Sequence, residues 1–154
     1  MGSSANILIG PATLYIAGVD VGFTKDGVKV RNEREFVDIA ADQLRGLVKK
    51  SKSMEKMFVG TTLLEATLTN IRLLWDQASG TNLGNNDDVT ERAIKVVGTG
   101  PNSYVRTFTF ERCVSISNAE INHSREEEVG LEAEFECLKT NAGPFGALVE
   151  VAPA

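Results

Sequence analysis

One histidine and two cysteines among 154 residues leave little material for metal or nucleophile chemistry. The histidine, His123, stands beside Ser124, and a serine adjacent in sequence does not build a Ser–His catalytic pair; nothing marks an orienting acid either. Cys113 and Cys137 lack metal-ligand spacing and are too few for a disulfide framework. Asp87-Asp88 has no EF-hand spacing around it and reads as part of a turn. Gly98-Thr-Gly100 lacks the lysine and the strand-to-helix setting of a phosphate loop. No run reaches the roughly 18 apolar residues of a membrane span, and no basic, apolar, small-residue series marks a signal peptide. The first residues miss the myristoylation pattern, with Asn6 where Ser or Thr belongs. Arg and Lys total 16 against 21 acids, a net −5, so a surface built to grip duplex phosphates is not expected. These deficits point away from an enzyme and from any cofactor, and make the cytosol the expected place of synthesis.

What the chain does have is 42% hydrophobic residues, enough for one domain over residues 1–154, and one stretch of strict alternation. Within residues 125–137, Glu126, Glu128, Gly130, Glu132, Glu134 and Glu136 alternate with Glu127, Val129, Leu131, Ala133, Phe135 and Cys137. A period of two puts these sets on opposite faces of a strand, one acidic and one almost wholly apolar. One Arg against six Glu gives this stretch −5, equal to the net charge of the whole chain. Neighbouring carboxylates on one face lie about 6–7 Å apart and repel by roughly 0.6 kcal/mol per pair in water before screening. Two readings fit: a solvated surface, or a surface kept negative because a polyanion passes it.

The remainder reads as strands around one helix. Residues 1–5 form a polar arm, and residues 6–9 a short apolar strand before Gly10-Pro11. Leu14, Ile16 and Val19 suit a core. Asp26-Gly27 favours the positive φ of a tight hairpin turn, which would set Val21 and Phe23 against Val28 and Val30. From Glu35 to Ala41 side chains of consequence fall on both faces, with Val37 and Ile39 against Phe36 and Asp38. Residues 42–56 carry Arg45, Lys49, Lys50, Lys52 and Lys56, as either a solvated loop or a hairpin arm that docks on an acidic surface of another copy. Thr62 and Glu65 fit a capping box that opens a helix over residues 62–78. Leu64, Leu68, Ile71, Leu74 and Trp75 recur there at helical spacing, and burying them would contribute on the order of 8–15 kcal/mol gross. Residues 104–117 form a second long alternating strand, with Phe108, Phe110, Val114 and Ile116 on one face. Arg112 interrupts that set through a bulge, a snorkelling stem or a partner carboxylate. Uninterrupted alternation places Cys113 and Cys137 on opposite faces, as free thiols.

The order of these elements resembles the tail tube (major tail) proteins of tailed bacteriophages. The likeness is carried by the early Asp26-Gly27, the Asp42-Gln43 segment, the helix region opening at Thr61-Thr62-Leu63-Leu64-Glu65, and the long alternating strands after it. The resemblance implies a mainly β protomer, a β-sandwich or barrel with one flanking α-helix, whose strands continue into a ring-shaped barrel. It also implies homohexameric rings stacked into a virion tail tube, through which double-stranded DNA and a tape-measure protein pass. Sheath, baseplate and tail terminator proteins would be the further partners, and there are no catalytic residues to carry over. In that setting Glu126, Glu128, Glu132, Glu134 and Glu136 would line the lumen, and Arg45, Lys49, Lys50, Lys52 and Lys56 would form an arm between subunits or rings. The tube of a type VI secretion or phage-derived contractile injection system is similar, and a monomeric ligand-binding β-barrel is the reading without assembly.

Overall fold

The computed structural model describes residues 12–43, 45–77, 89–123, 125 and 130–152. Its elements in chain order are β1 (Ala12–Ile16), β2 (Val19–Asp20), β3 (Thr24–Ala40), β4 (Leu47–Leu63), α1 (Leu68–Leu74), β5 (Arg92–Thr99), β6 (Val105–Ser115), β7 (Leu131–Cys137) and β8 (Gly146–Val151). The protein is mainly β: strands form 59% of the described residues, which include one short helix, as expected. The strands make one antiparallel sheet in the order β2-β1-β5-β6-β7-β4-β3, with β8 paired to β6. They do not close into a barrel. The arm at residues 1–5, the apolar residues 6–9, and Glu126 and Glu128 lie outside the described residues. No helix among the described residues is long and apolar enough to cross a membrane.

The sheet curls around its own apolar face. Leu14 and Ile16 from β1, Ile94 and Val96 from β5, Phe110 from β6, Leu131, Ala133 and Phe135 from β7, and Val59 and Leu63 from β4 form one buried cluster. Strict alternation in β7 delivers this directly: Leu131, Ala133, Phe135 and Cys137 are buried, while Glu132 is exposed and Glu134 and Glu136 are half-buried. Leu74 of α1 caps the cluster, with Ile71 and Trp75 packed against it.

Four local expectations are corrected. The helix starts later than Thr62, because Thr62 and Leu63 complete β4 in register with Glu132 and Leu131. Its cap is Thr67, whose hydroxyl accepts from the Asn70 N–H at 3.2 Å, and Leu68 is exposed. Asp26 and Gly27 do take positive φ, 63° and 76°, but they form a bulge within β3 rather than a hairpin turn. Phe23 is therefore exposed instead of packing on Val30, and Val19 is exposed beyond the turn at Ala17-Gly18. Finally, β6 carries a bulge of its own. Arg92 pairs with Cys113 but Ile94 with Phe110, so two residues face one across this step. The bulge flips the alternation after Phe110: Arg112 turns outward to Glu91, and Cys113 joins Cys137 in the core. The two cysteines share a face rather than opposing ones.

Candidate assembly surface

β3 and β4 pair along nearly their whole lengths, while β7 accompanies β4 only from Met57 to Leu63. Beyond Met57 the other side of β4 has no strand partner among the described residues. Residues 33–40 and 47–56 thus form a two-stranded ribbon, about 25–30 Å long, standing out from the sheet. The basic stretch expected as a loop or hairpin arm is one strand of this ribbon plus its tip, where Arg45 lies exposed. A ribbon of two strands is marginal in water by itself. This one also leaves Phe36, Val37, Ile39, Leu47, Val48 and Met54 between 45% and 60% exposed.

Register sorts the ribbon into two faces, since directly opposed residues share a side. One face carries Arg34, Phe36, Asp38, Lys50, Lys52 and Glu55. Its charges are satisfied locally: Lys50 Nζ lies 3.4 Å from Asp38 Oδ1, Lys52 donates to Glu55, and Arg34 and Lys50 sit over the Phe36 ring. The hydrogen bond from Lys52 holds the Glu55 carboxyl below its ordinary range, against a smaller opposing effect of burial. The other face carries Glu33, Glu35, Val37 and Ile39 opposite Lys56, Met54, Ser51 and Lys49. The five proposed arm cations are therefore not one patch. Lys50 and Lys52 face one way, Lys49 and Lys56 the other.

The second face continues onto the acidic side of β7. Glu132, Glu134 and Glu136 stand in register with Thr62, Gly60 and Phe58 of β4, and Phe58 in turn with Arg31 of β3. Arg31 spans these strands: its Nη2 lies 3.2 Å from Glu134 Oε1, its Nε 3.0 Å from Glu33, and its guanidinium over the Phe58 ring at 4.5 Å. An open groove of about 690 Å³ runs along this side, with Lys25, Lys29 and Arg31 on one wall and Glu132 and Glu134 on the other. The acidic row is thus partly neutralised from β3, a strand remote in sequence, where periodicity within the row gave no sign of it.

A second apolar zone adjoins the base of the ribbon. Where β4 leaves β7, a cleft of about 410 Å³ is lined by Met57, Phe108, Phe110, Phe145 and Leu148, with Lys52 and Lys139 at its rim. Leu148, Val149 and Val151 of β8 are more than half exposed, and β8 pairs only with β6 among the described residues. Unpaired edges with exposed apolar side chains are templates for pairing with another chain. Comparison with known proteins finds no matching family model and no matching curated protein.

Proposed function

We propose that this chain is a structural protein that assembles with copies of itself into hexameric rings, stacked as a tube of the phage-tail type. The observation that carries this reading is the β3–β4 ribbon. A two-stranded projection with six large apolar side chains about half exposed is costly for a monomer and suited to burial against a neighbouring copy. The open edge of β8 and the apolar cleft at the ribbon's base supply a second surface for the same purpose. In such a tube the acidic row lines the lumen. DNA passing its carboxylates meets repulsion and bound water, an effect reduced where Arg31 pairs with Glu134 and where Lys25 and Lys29 line the same groove.

Sedimentation of the full chain across a wide concentration range, with negative-stain images of the same samples, tests this. Hexamers and stacked rings are expected, if necessary only after addition of a tail-initiating complex, since subunits of such assemblies can stay monomeric until nucleated. A monomer under every condition, initiator included, overturns it.

A further inference from the structure

Cys113 and Cys137 stand directly opposite each other where β6 meets β7, with Sγ atoms 3.3 Å apart. Both are free thiols, at most 2% exposed. Their position in the sheet is singular. β6 and β7 share only three residue pairs, Cys113 with Cys137, Val114 with Glu136 and Ser115 with Phe135. Among the described residues this seam is the sole strand pairing between β1, β2, β5, β6 and β8 on one side and β7, β4 and β3 on the other. The seam is reinforced by Ser117, whose hydroxyl accepts from the Glu134 N–H at 2.8 Å and donates to the Glu134 carbonyl at 3.0 Å. It is still a short join beside the seven residue pairs that hold β4 to β7.

We propose that Cys113 and Cys137 form a modification site, converted by a disulfide-class oxidant into an intramolecular disulfide that staples this seam. Directly opposed residues of antiparallel strands have Cα atoms about 4.5–5.5 Å apart, within the span that a disulfide bridges without backbone movement. Both side chains already project to the core side, so the sulfurs meet by side-chain rotation alone. The step with oxidised glutathione balances as two exchanges. One cysteine sulfur attacks a glutathione sulfur, the glutathione S–S bond breaks, and the first glutathione leaves as a thiol with the cysteine's proton. The second cysteine sulfur then attacks the protein sulfur of that mixed disulfide, closing the Cys113–Cys137 bond and releasing the second glutathione with the second proton. The two cysteines lose two electrons and glutathione gains them.

The environment sets when this happens. The hydrogen bond shared with Cys137, and after it burial, push the Cys113 thiol far above its ordinary range, so Cys113 stays a thiol in the closed seam. Reaction requires the seam to open, and a reducing cytosol leaves the pair as dithiol. Once formed, the bond is buried and shielded from reductants.

The full chain is reduced, unfolded and refolded in a glutathione redox buffer, in parallel with incubation of the folded protein in oxidised glutathione. Acid-quenched samples are denatured, alkylated and weighed. Refolding is expected to take the alkylatable thiols from two to none, with a mass loss of about 2 Da, in a species that runs as monomer without reductant; the folded sample should react more slowly. The cross-linked loop spans 24 residues, so the oxidised chain should melt about 5–10 °C above the reduced one. Cys137→Ala should keep one thiol and show no such shift. Two thiols persisting after refolding, a stable glutathione adduct, disulfide-linked dimers, or an oxidised form that melts no higher than the reduced one each overturn the proposal.

Discussion

Arg31 reaches across β4 to Glu134: the two residues lie 103 apart in sequence and 3.2 Å apart in space. The acidic face of β7 is therefore part of a mixed surface, with its counter-charge supplied by β3. Both side chains are about half exposed, so solvent and salt weaken the pair, and the stacking of Arg31 on Phe58 adds a comparable amount. Arg31→Ala should cost about 0.5–1.5 kcal/mol at low ionic strength. Glu134→Gln should cost less, because the cation–π contact survives. Thermal melts of both variants at low and high salt check this. The Glu134→Gln difference should shrink in salt, and a larger loss for Glu134→Gln than for Arg31→Ala contradicts the arrangement.

Arg112 and Glu91 form an exposed pair with a defined pH signature. Two guanidinium nitrogens contact the Glu91 carboxylate at 2.7 and 2.9 Å, and the hydrogen bond, more than the charge alone, lowers the Glu91 pKa from 4.5. A carboxyl whose folded pKa is depressed binds fewer protons than in the unfolded chain. Its contribution to stability is full above the unfolded value and fades as pH falls through the folded one. Wild type should therefore melt slightly above Glu91→Gln at neutral pH, and the gap should close as pH drops below about 4.5. Glu55, held down by Lys52, acts in the same direction. A gap that widens in acid contradicts the pairing.

If the acidic row faces a tube lumen, reversing it should impair passage without impairing assembly. Changing Glu128, Glu132 and Glu136 together to Lys, with the Arg31–Glu134 pair left intact, should leave tubes that form normally but deliver DNA at least several-fold more slowly, because lysines release counterions and bind phosphates. Normal delivery from well-formed tubes, with those lysines reachable by a bulky amine label, puts the row on the outer surface.

Much of the fold was legible where one strand alone decides the pattern. In β7 the alternation of Leu131, Ala133, Phe135 and Cys137 with glutamates placed both faces correctly, since no bulge interrupts it. In β6 the same reasoning failed after Phe110, because the bulge opposite β5 is a property of the pair of strands. Arg112 was the visible symptom, an ion in an apolar series, and Cys113 was the residue misplaced by it. Asp26-Gly27 correctly signalled positive φ, yet that conformation serves a bulge as well as a turn. Here β3 runs on in the same direction to Ala40, which makes it a bulge. The capping box at Thr62 lost to Thr67 because β4 needs Thr62 and Leu63 to complete its pairing with β7. The arm was half legible. Its lysines stood out, while the β3 half, alternating Phe36 with Val37 and Ile39, announced only that both faces matter. That these residues remain exposed reflects β7 ending at Cys137, which neither segment encodes.

The ribbon is the element on which the proposed assembly depends. Val37→Ser, Ile39→Ser and Leu47→Ser combined remove apolar surface that is about half exposed and absent from the buried cluster. The triple variant and wild type should be compared for melting temperature and for assembly under identical conditions, by sedimentation and negative stain. The expected result is a melt within a few degrees of wild type, with the variant monomeric where wild type forms stacked rings. Rings and tubes of normal length from the folded variant would contradict the claim.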